Sequence, residues 1–478
     1  MIRGARLLAL ASSLLLAAGL TAPVDAAAPR PPRFHPQVSF PTRTVTDAAG
    51  TTLLADRHGR ALQLHGANLG KTGDLTERGI ANLAAAGLTL LRLPIQWEHL
   101  EPTQGSYDAA YVQQVKDALR WAHEYGVLVL VDWHQDVYGP AFPGFDGAPA
   151  WTTRTDGHVF QPATGNWAQN YTDPAVMAAF RHLFRDPDLQ QAQVDAWTYL
   201  ARQLRGSPAL LGYDLFNEPL AAGEDLAGMY RRLIAGIRSV DQRSWLWVEP
   251  NVLVSEGLPT DLPGFRDPRR GPARIGYAPH AYSSAVEGGG DWDTTSDFVE
   301  KFEAAVTAYP RAHRLPVIVG EWGPITAGPE HPGNVELVQR QVASFPRFAT
   351  GWTVWYACTS PDGGGYCIFA DDKGTLDEGR SAAWRPYPVA LSGTVVSETA
   401  TPRRYRLVFR TRPGQAGSQV VVPSGFGRRL MVTVRSGHRR PKGVVARVAA
   451  PSRTGARTVT VTGAPARSAT WTLTISAR

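Results

Sequence analysis

The chain is short of the residues on which small or metal-built folds depend. Two cysteines, Cys358 and Cys367, occur in 478 residues, which excludes the disulfide-dense scaffolds of small secreted domains. They lie nine apart with no histidine between them, a spacing that makes a poor zinc motif. No glycine-rich phosphate loop follows any apolar run, so the nucleotide-binding signature of open doubly wound sheets is missing. The longest apolar run, Leu7 to Leu20, falls short of the ~20 residues that a membrane-spanning helix needs. Residues 389–478 hold no aspartate and one glutamate, against fifteen arginines and one lysine.

What is present describes a large folded protein. Hydrophobic residues make up 43% of the chain and there are 14 tryptophans, a composition that buries a core. The length suits one large domain plus an appendage. Arg3 and Arg6 precede the apolar run, and small residues follow at Val24–Ala28, so residues 1–28 read as a cleaved export signal. Residues 29–44 form a proline-rich leader. The protein is expected to be secreted, and in that compartment Cys358 and Cys367 are expected to form one disulfide closing a short loop. The net charge of +7 divides into +15 for residues 389–478 and −8 before them. That shift places a boundary near residue 389.

Eight short apolar runs recur between residues 62 and 357, separated by segments of helical periodicity such as Ala109–Gly126. Eight buried strands alternating with helices describe a (β/α)8 barrel over residues 45–388. Residues 389–478 alternate apolar and polar in short runs and read as a small β-sandwich. A long aromatic insertion, residues 139–186, interrupts the pattern between the third and fourth strands and is expected to wall the substrate site.

In such a barrel, chemistry gathers at the strand C-termini. There the sequence places Asn68, Arg92, His134, Asp136, Asn217, Glu218, Glu249, His280, Tyr282, Glu321 and Trp355. The run "LLGYDLFNEPL" (210–220) ends on Glu218 and "PVIVGEWG" (316–323) on Glu321. A lone strand-end glutamate reads as an ion-pair or capping partner, but two at matching strand ends suit glycoside hydrolysis with retention. One carboxyl protonates the leaving oxygen while another, about 5 Å away, attacks the sugar carbon. Glu218 is then required to hold a proton while Glu321 is charged, and a mildly acidic optimum is expected. His134 with Asp136 lacks a third ligand for a metal, so neither metal nor organic cofactor is expected. Trp133 and Trp355 are candidate sugar platforms, and Tyr138–Phe145 and Tyr366–Phe369 candidate walls of a lipid groove.

"RLP" with Arg92, "NEP" after the fourth strand, "HAY" after the sixth and "GEWG" after the seventh resemble glycoside hydrolase family 5. "DWHQDVYG" (132–139), "DGAPAW" (146–151) and "RPYPVALSGT" (385–394) resemble its endoglycoceramidase subgroup. The resemblance implies Glu218 as acid/base, Glu321 as nucleophile, and Arg92, His134, Asn217, His280, Tyr282 and Trp355 as lining residues. It also implies Lys71 and Asp136 as sugar contacts, although "GANLGKTGD" (66–74) departs from the subgroup's usual loop. A glycosphingolipid substrate is implied, with β-glucan or β-mannan as the alternative. A glycan- or lipid-binding protein without catalysis is the alternative of another class. The basic domain is read as docking on an anionic membrane or micelle, or else as arginine usage that aids solubility. A monomer is expected, with no nucleic-acid partner.

Overall fold

The computed structural model describes residues 38–71, 75–165, 167–359, 365–414, 417–463, 465 and 467–478. The expected export signal and most of the leader lie outside them. Eight parallel strands form one sheet: β1 (Leu64–Asn68), β2 (Leu90–Gln96), β3 (Leu128–His134), β4 (Leu210–Asp214), β5 (Trp245–Val248), β6 (Ile275–Tyr277), β7 (Ile318–Val319) and β8 (Gly351–Val354). They run in the order β7-β8-β1-β2-β3-β4-β5-β6. A parallel bridge between Tyr277 and Val317 joins β6 to the start of β7 and brings the ends of the sheet together. The fold is a (β/α)8 barrel, as the eight apolar runs require.

Local chemistry sets the helices. Asp108 caps the helix Ala109–Tyr125, accepting from the amides of Ala110 and Tyr111, and Gly126 ends it at φ 71°. A side chain would be strained at that angle. The helix buries Val112, Val115, Leu119 and Ala122 against the barrel, the 3.6-residue stripe that its sequence predicts.

The C-terminal region holds two antiparallel sheets. Gly393–Thr401, Arg404–Thr411, Thr470–Ala477 and Leu430–Arg435 make the four-stranded one. The other has seven strands, and three of them, Arg43–Thr46, Thr52–Ala55 and Ala61–Leu62, come from the N-terminal side of the barrel. Ala61 and Leu62 pair with Leu391 and Ala390. The strand Tyr387–Leu391 therefore runs across the boundary expected near 389. Charge marks which surface is basic, whereas backbone pairing ignores it.

The two cores are also continuous. Tyr387, Val389, Ala390 and Val421 pack with Leu64, Leu90, Leu128, Leu211 and Trp245 at the barrel floor. Tyr387 stacks on His65 at 3.7 Å between ring centroids, and its hydroxyl donates to the Gly87 carbonyl at 2.9 Å. Each such large side chain withdrawn from water contributes about 1.5–3 kcal/mol. Among the described residues no helix is long and apolar enough to cross a membrane. Cys358 and Cys367 form a disulfide, with Cα atoms 4.6 Å apart.

Candidate active site

Strand alternation aims one side of each strand inward. On β3, Asp132 and His134 point into the bowl. Trp133 points outward and packs on Trp97 and Trp197, so it is a core residue and not the sugar platform that the sequence suggested.

Arg92 stands in the first half of β2 and not at the strand end that the sequence suggested; it is fully buried and organises the bowl from below. Its Nε donates to Asp214 at 2.9 Å and its Nη1 to Asn68 at 3.1 Å and Glu321 at 2.6 Å. Its Nη2 donates to Asn217 and Glu249, each at 2.8 Å, and lies 2.9 Å from Asp132. Burial opposes the guanidinium's charge, but the four carboxylates hold it well above its ordinary range. One cation does not balance four buried anions. Burial accordingly raises Asp132 to about 6 despite Arg92, and burial together with Glu249 raises Asp214 well above the carboxylate range.

Glu218 leaves the end of "FNEP" at φ 44°, a left-handed conformation that costs a non-glycine residue energy. Its amide donates to Glu249 at 2.9 Å, and its carbonyl accepts from Gln135 Nε2 at 3.1 Å; these bonds hold the bend. Glu249 has the ion-pair role of a lone strand-end glutamate, bonded also to Arg92 and close to His280. Asn217 Nδ2 donates one proton to the Gln135 carbonyl at 3.0 Å, and its second proton is available to a ligand.

Glu218 and Glu321 face each other. One oxygen of each, together with a His280 nitrogen, lies within a 4.8 Å group. His280 Nδ1 donates to Glu218 at 2.8 Å and is 3.8 Å from Glu321; its Nε2 is 3.2 Å from Glu249. Tyr282 donates to Glu321 at 2.9 Å. A Cβ on Gly320 would come within 2.9 Å of His280 Nε2, so glycine before Glu321 is what lets the ring approach.

Burial disfavours a charged imidazole, yet Glu249 and Glu321 with the bonds to Glu218 and Glu249 raise His280 well above its ordinary value. Burial would raise Glu218, but the His280 hydrogen bond and charge bring it below the ordinary carboxylate value. Both shifts favour the proton on the His280 side of this 2.8 Å contact.

His134 is the opposite case: burial, and then Lys71, lower it to about 3. The neutral ring gives Nδ1–H to Asp132 at 2.8 Å, which leaves Nε2 as a buried, unpartnered acceptor. Trp355 stacks on this ring at 5.4 Å, and Lys71 Nζ lies over Trp355 at 5.3 Å. Lys71 pairs with Asp136 and is 3.7 Å from Asp146. Lys71, Arg92, His134, Asp136, Asn217, Glu218, His280, Tyr282, Glu321 and Trp355 thus meet in one bowl, and Trp133 does not. Several carboxylate–histidine groups there have the spacing of metal ligands. Arg92 pairs with Asp132, Asp214, Glu249 and Glu321 of these groups, and Lys71 with Asp136 of the group around His134.

Sequence reasoning misplaced the apolar wall. Phe142, Ile368 and Phe369 are core residues. An apolar groove of about 260 Å³ instead opens beside Glu218 and Tyr282, lined by Trp167, Tyr171, Met177, Leu220, Val252 and Leu253. Its insertion side comprises the turn Trp167–Thr172 and the helix Pro174–Arg185. The one sequence signal was the tryptophan and methionine that remain solvent-facing in this amphipathic stretch, Trp167 and Met177. Glu287 also lines the groove and was not foreseen. Tyr366 donates to its Oε2, while Oε1 is buried without a partner. Burial, with the charges of Glu218 and Glu321, pushes its carboxyl up to about 7.

The Cellulase (glycosyl hydrolase family 5) pattern matches residues 55–360, and the chain belongs to that family. Endo-glycoceramidase II from Rhodococcus sp. is similar in structure, with TM-score 0.76 and 30% identity, over 89% of this chain and 99% of that one. That protein has been captured as a lactosyl-enzyme intermediate and with ganglioside GM3. Among curated proteins, an endoglycoceramidase of Hydra vulgaris is 28% identical over 204 residues, 35% of this chain and 39% of its own length. Endoglycoceramidase I of Rhodococcus hoagii is 26% identical over 269 residues, 50% of this chain and 54% of its own length. The chain thus spans about half the length or less of these curated relatives.

Proposed function

We propose that the protein hydrolyses the β-glycosidic bond between glycan and ceramide in glycosphingolipids, with retention at the sugar carbon. The reading is carried by two carboxylates within a 4.8 Å group, bordered by an apolar groove on the Glu218 side. Sugar-type partners gather elsewhere in the bowl: Lys71, Asp136, His134 Nε2 and Trp355. A substrate with a polar and an apolar half suits that division, and the similarity to endoglycoceramidases supports it.

Glu321, oriented by Arg92 and Tyr282, attacks the anomeric carbon as the bond to the leaving oxygen breaks. Glu218, recharged from His280, gives that oxygen its proton, so the ceramide leaves as an alcohol. Esterification removes the Glu321 charge that helps keep His280 protonated. Glu218, now a carboxylate, takes a proton from water as the water's oxygen attacks the same carbon and frees Glu321. Glu287 presents a carboxyl group to the polar region of the departing lipid.

The test is incubation with lactosylceramide, glucosylceramide, a ganglioside and carboxymethyl-cellulose. Released ceramide is the expected product. Cleavage of the cellulose alone would overturn the lipid assignment in favour of the β-glucan reading, for which the 24% identity to endoglucanase C of Acetivibrio thermocellus speaks.

Export by way of residues 1–28 belongs to the same proposal and is checked by sequencing the N-terminus of the protein recovered from culture medium. So does contact with anionic membrane. Arg404, Arg406 and Arg410 alternate with the core residues Tyr405, Leu407 and Phe409, which turns the arginines to the outer face of the sheet. Changing all three to serine should lower binding to anionic vesicles and leave hydrolysis of a soluble aryl glycoside unchanged. Unchanged vesicle binding removes the docking role. Deletion from residue 389 is a poor test, because it cuts the shared strand Tyr387–Leu391.

A further inference from the structure

The barrel floor, opposite the bowl, carries a second concentration of charge that the hydrolytic reading does not use. The helices Pro187–Leu204 and Gly223–Val240 end there, and strands β5 and β6 begin there. An open cleft of about 500 Å³ is lined by Arg205, Asp241, Arg243, Arg269 and Arg274. With the adjoining Arg238, five guanidiniums face two carboxylates, Asp241 and Asp267.

Neither carboxylate neutralises the lining arginines. Asp267 is taken by Arg238, which donates to it from Nε at 2.8 Å and Nη2 at 3.1 Å. Asp241 accepts from the Ser244 hydroxyl at 2.6 Å, Tyr213 at 3.0 Å and the amides of Arg243 and Ser244. Among the described residues, the side chains of Arg205, Arg243, Arg269 and Arg274 donate only to backbone carbonyls, at Val240, Ser207, Gln242, Pro272, Arg243 and Thr42. Carbonyls at helix C-termini favour a cation there, but they satisfy one or two of the five N–H groups on each guanidinium. Arg274 Nε is buried without a partner among the described residues.

The guanidiniums are also held in place. Phe40 lies under Arg243 at 4.1 Å and Arg274 at 5.4 Å. Burial, followed by the charges of Arg269, Arg238 and Arg243, lowers Arg274 to about 10. Like charges crowded in a partly dry cleft repel one another, and a bound anion relieves that repulsion.

We propose that this cleft is a binding site for a multivalent tetrahedral oxyanion of the phosphate class, recognised by Arg243, Arg269 and Arg274 with Arg205 at its mouth. Planar guanidiniums match phosphate oxygens in paired hydrogen bonds. The same chemistry serves a free phosphate and a phosphate on a lipid headgroup.

The test uses the full chain in phosphate-free buffer, with Arg243→Gln, Arg274→Gln and the exposed Arg205→Gln. Binding of inorganic phosphate and pyrophosphate is followed by calorimetry and thermal midpoint, against chloride at equal ionic strength. Co-sedimentation with phosphatidic acid vesicles is the second arm. Saturable binding of the free ions, weakened about tenfold or more in Arg243→Gln and Arg274→Gln, is expected of a free-ion site. Binding to the vesicles alone, lost in the same variants, supports the site with a headgroup as its source. Binding to neither, an equal response to chloride, or binding retained in all three variants overturns it. If Arg274→Gln fails to fold, Arg205→Gln and Arg243→Gln decide; unchanged hydrolysis of an aryl glycoside certifies the fold of each.

Discussion

The two ends of the barrel handle charge in opposite ways. In the bowl one arginine meets Asp132, Asp214, Glu249 and Glu321, and every one of these groups is buried. At the floor four arginines line an open cleft and find only carbonyls. A buried charge is tolerated where an opposite charge and hydrogen bonds compensate it, and an unpaired one is cheaper where water reaches it. The bowl therefore presents paired charge, whereas the floor presents an excess of positive charge.

Several experiments would break or sharpen this contrast. The largest effect is expected from Glu321→Gln, which removes the attacking oxygen's charge: hydrolysis should fall on the order of 10⁴-fold or more, while a substrate analogue still binds by calorimetry. Activity within tenfold of the wild type would end the two-carboxylate mechanism.

Arg92→Met comes next. It leaves four carboxylates without their cation and should cost about 3–5 kcal/mol in urea unfolding. A loss under 1 kcal/mol would mean that the bowl's carboxylates do not depend on the guanidinium.

Glu287→Gln tests the groove. The folded carboxyl, raised to about 7, keeps a proton that the unfolded chain releases near the ordinary glutamate value. Its contribution is complete at low pH and is lost as pH rises from about 4.5 through 7. Glu287→Gln should flatten that part of the stability profile. It should also reduce glycolipid turnover about tenfold with little change on a soluble aryl glycoside. An equal loss on both substrates would remove the lipid contact.

The smallest effect belongs to the floor. Arg205 is exposed and its side chain donates to the Val240 carbonyl, so Arg205→Gln should shift unfolding by no more than about 0.5 kcal/mol without added anion. A shift of 2 kcal/mol or more would place Arg205 among the paired charges of the molecule.

Much of the bowl was legible because strand ends announce themselves: an apolar run that terminates in "NEP", "GEWG" or "HAY" puts its polar residue at the rim. Even β7, only Ile318 and Val319 in the structure, was legible from "PVIVG". Other features depend on contacts distant along the chain. Glu287 stands 79 residues from Tyr366, and the apolar groove combines Trp167 with Leu253. The shared strand near residue 389 was hidden because the charge pattern describes solvent-facing side chains, whereas pairing with Ala61–Leu62 depends on backbone alone. Trp133 was misread by counting aromatic residues near the site without applying strand alternation to it.

By itself the sequence determined the eight alternating units, the rim positions of Glu218 and Glu321, and the basic character of the last ninety residues. These follow from local apolar periodicity and composition, which need no knowledge of distant neighbours. Only the tertiary structure decided which charges touch: that Arg92 gathers four carboxylates, that His280 meets Glu218 and Glu249, and that the lining arginines of the floor have no carboxylate partner among the described residues. Protonation depends on distance and burial, and both arise only when strands far apart in the chain close into one barrel.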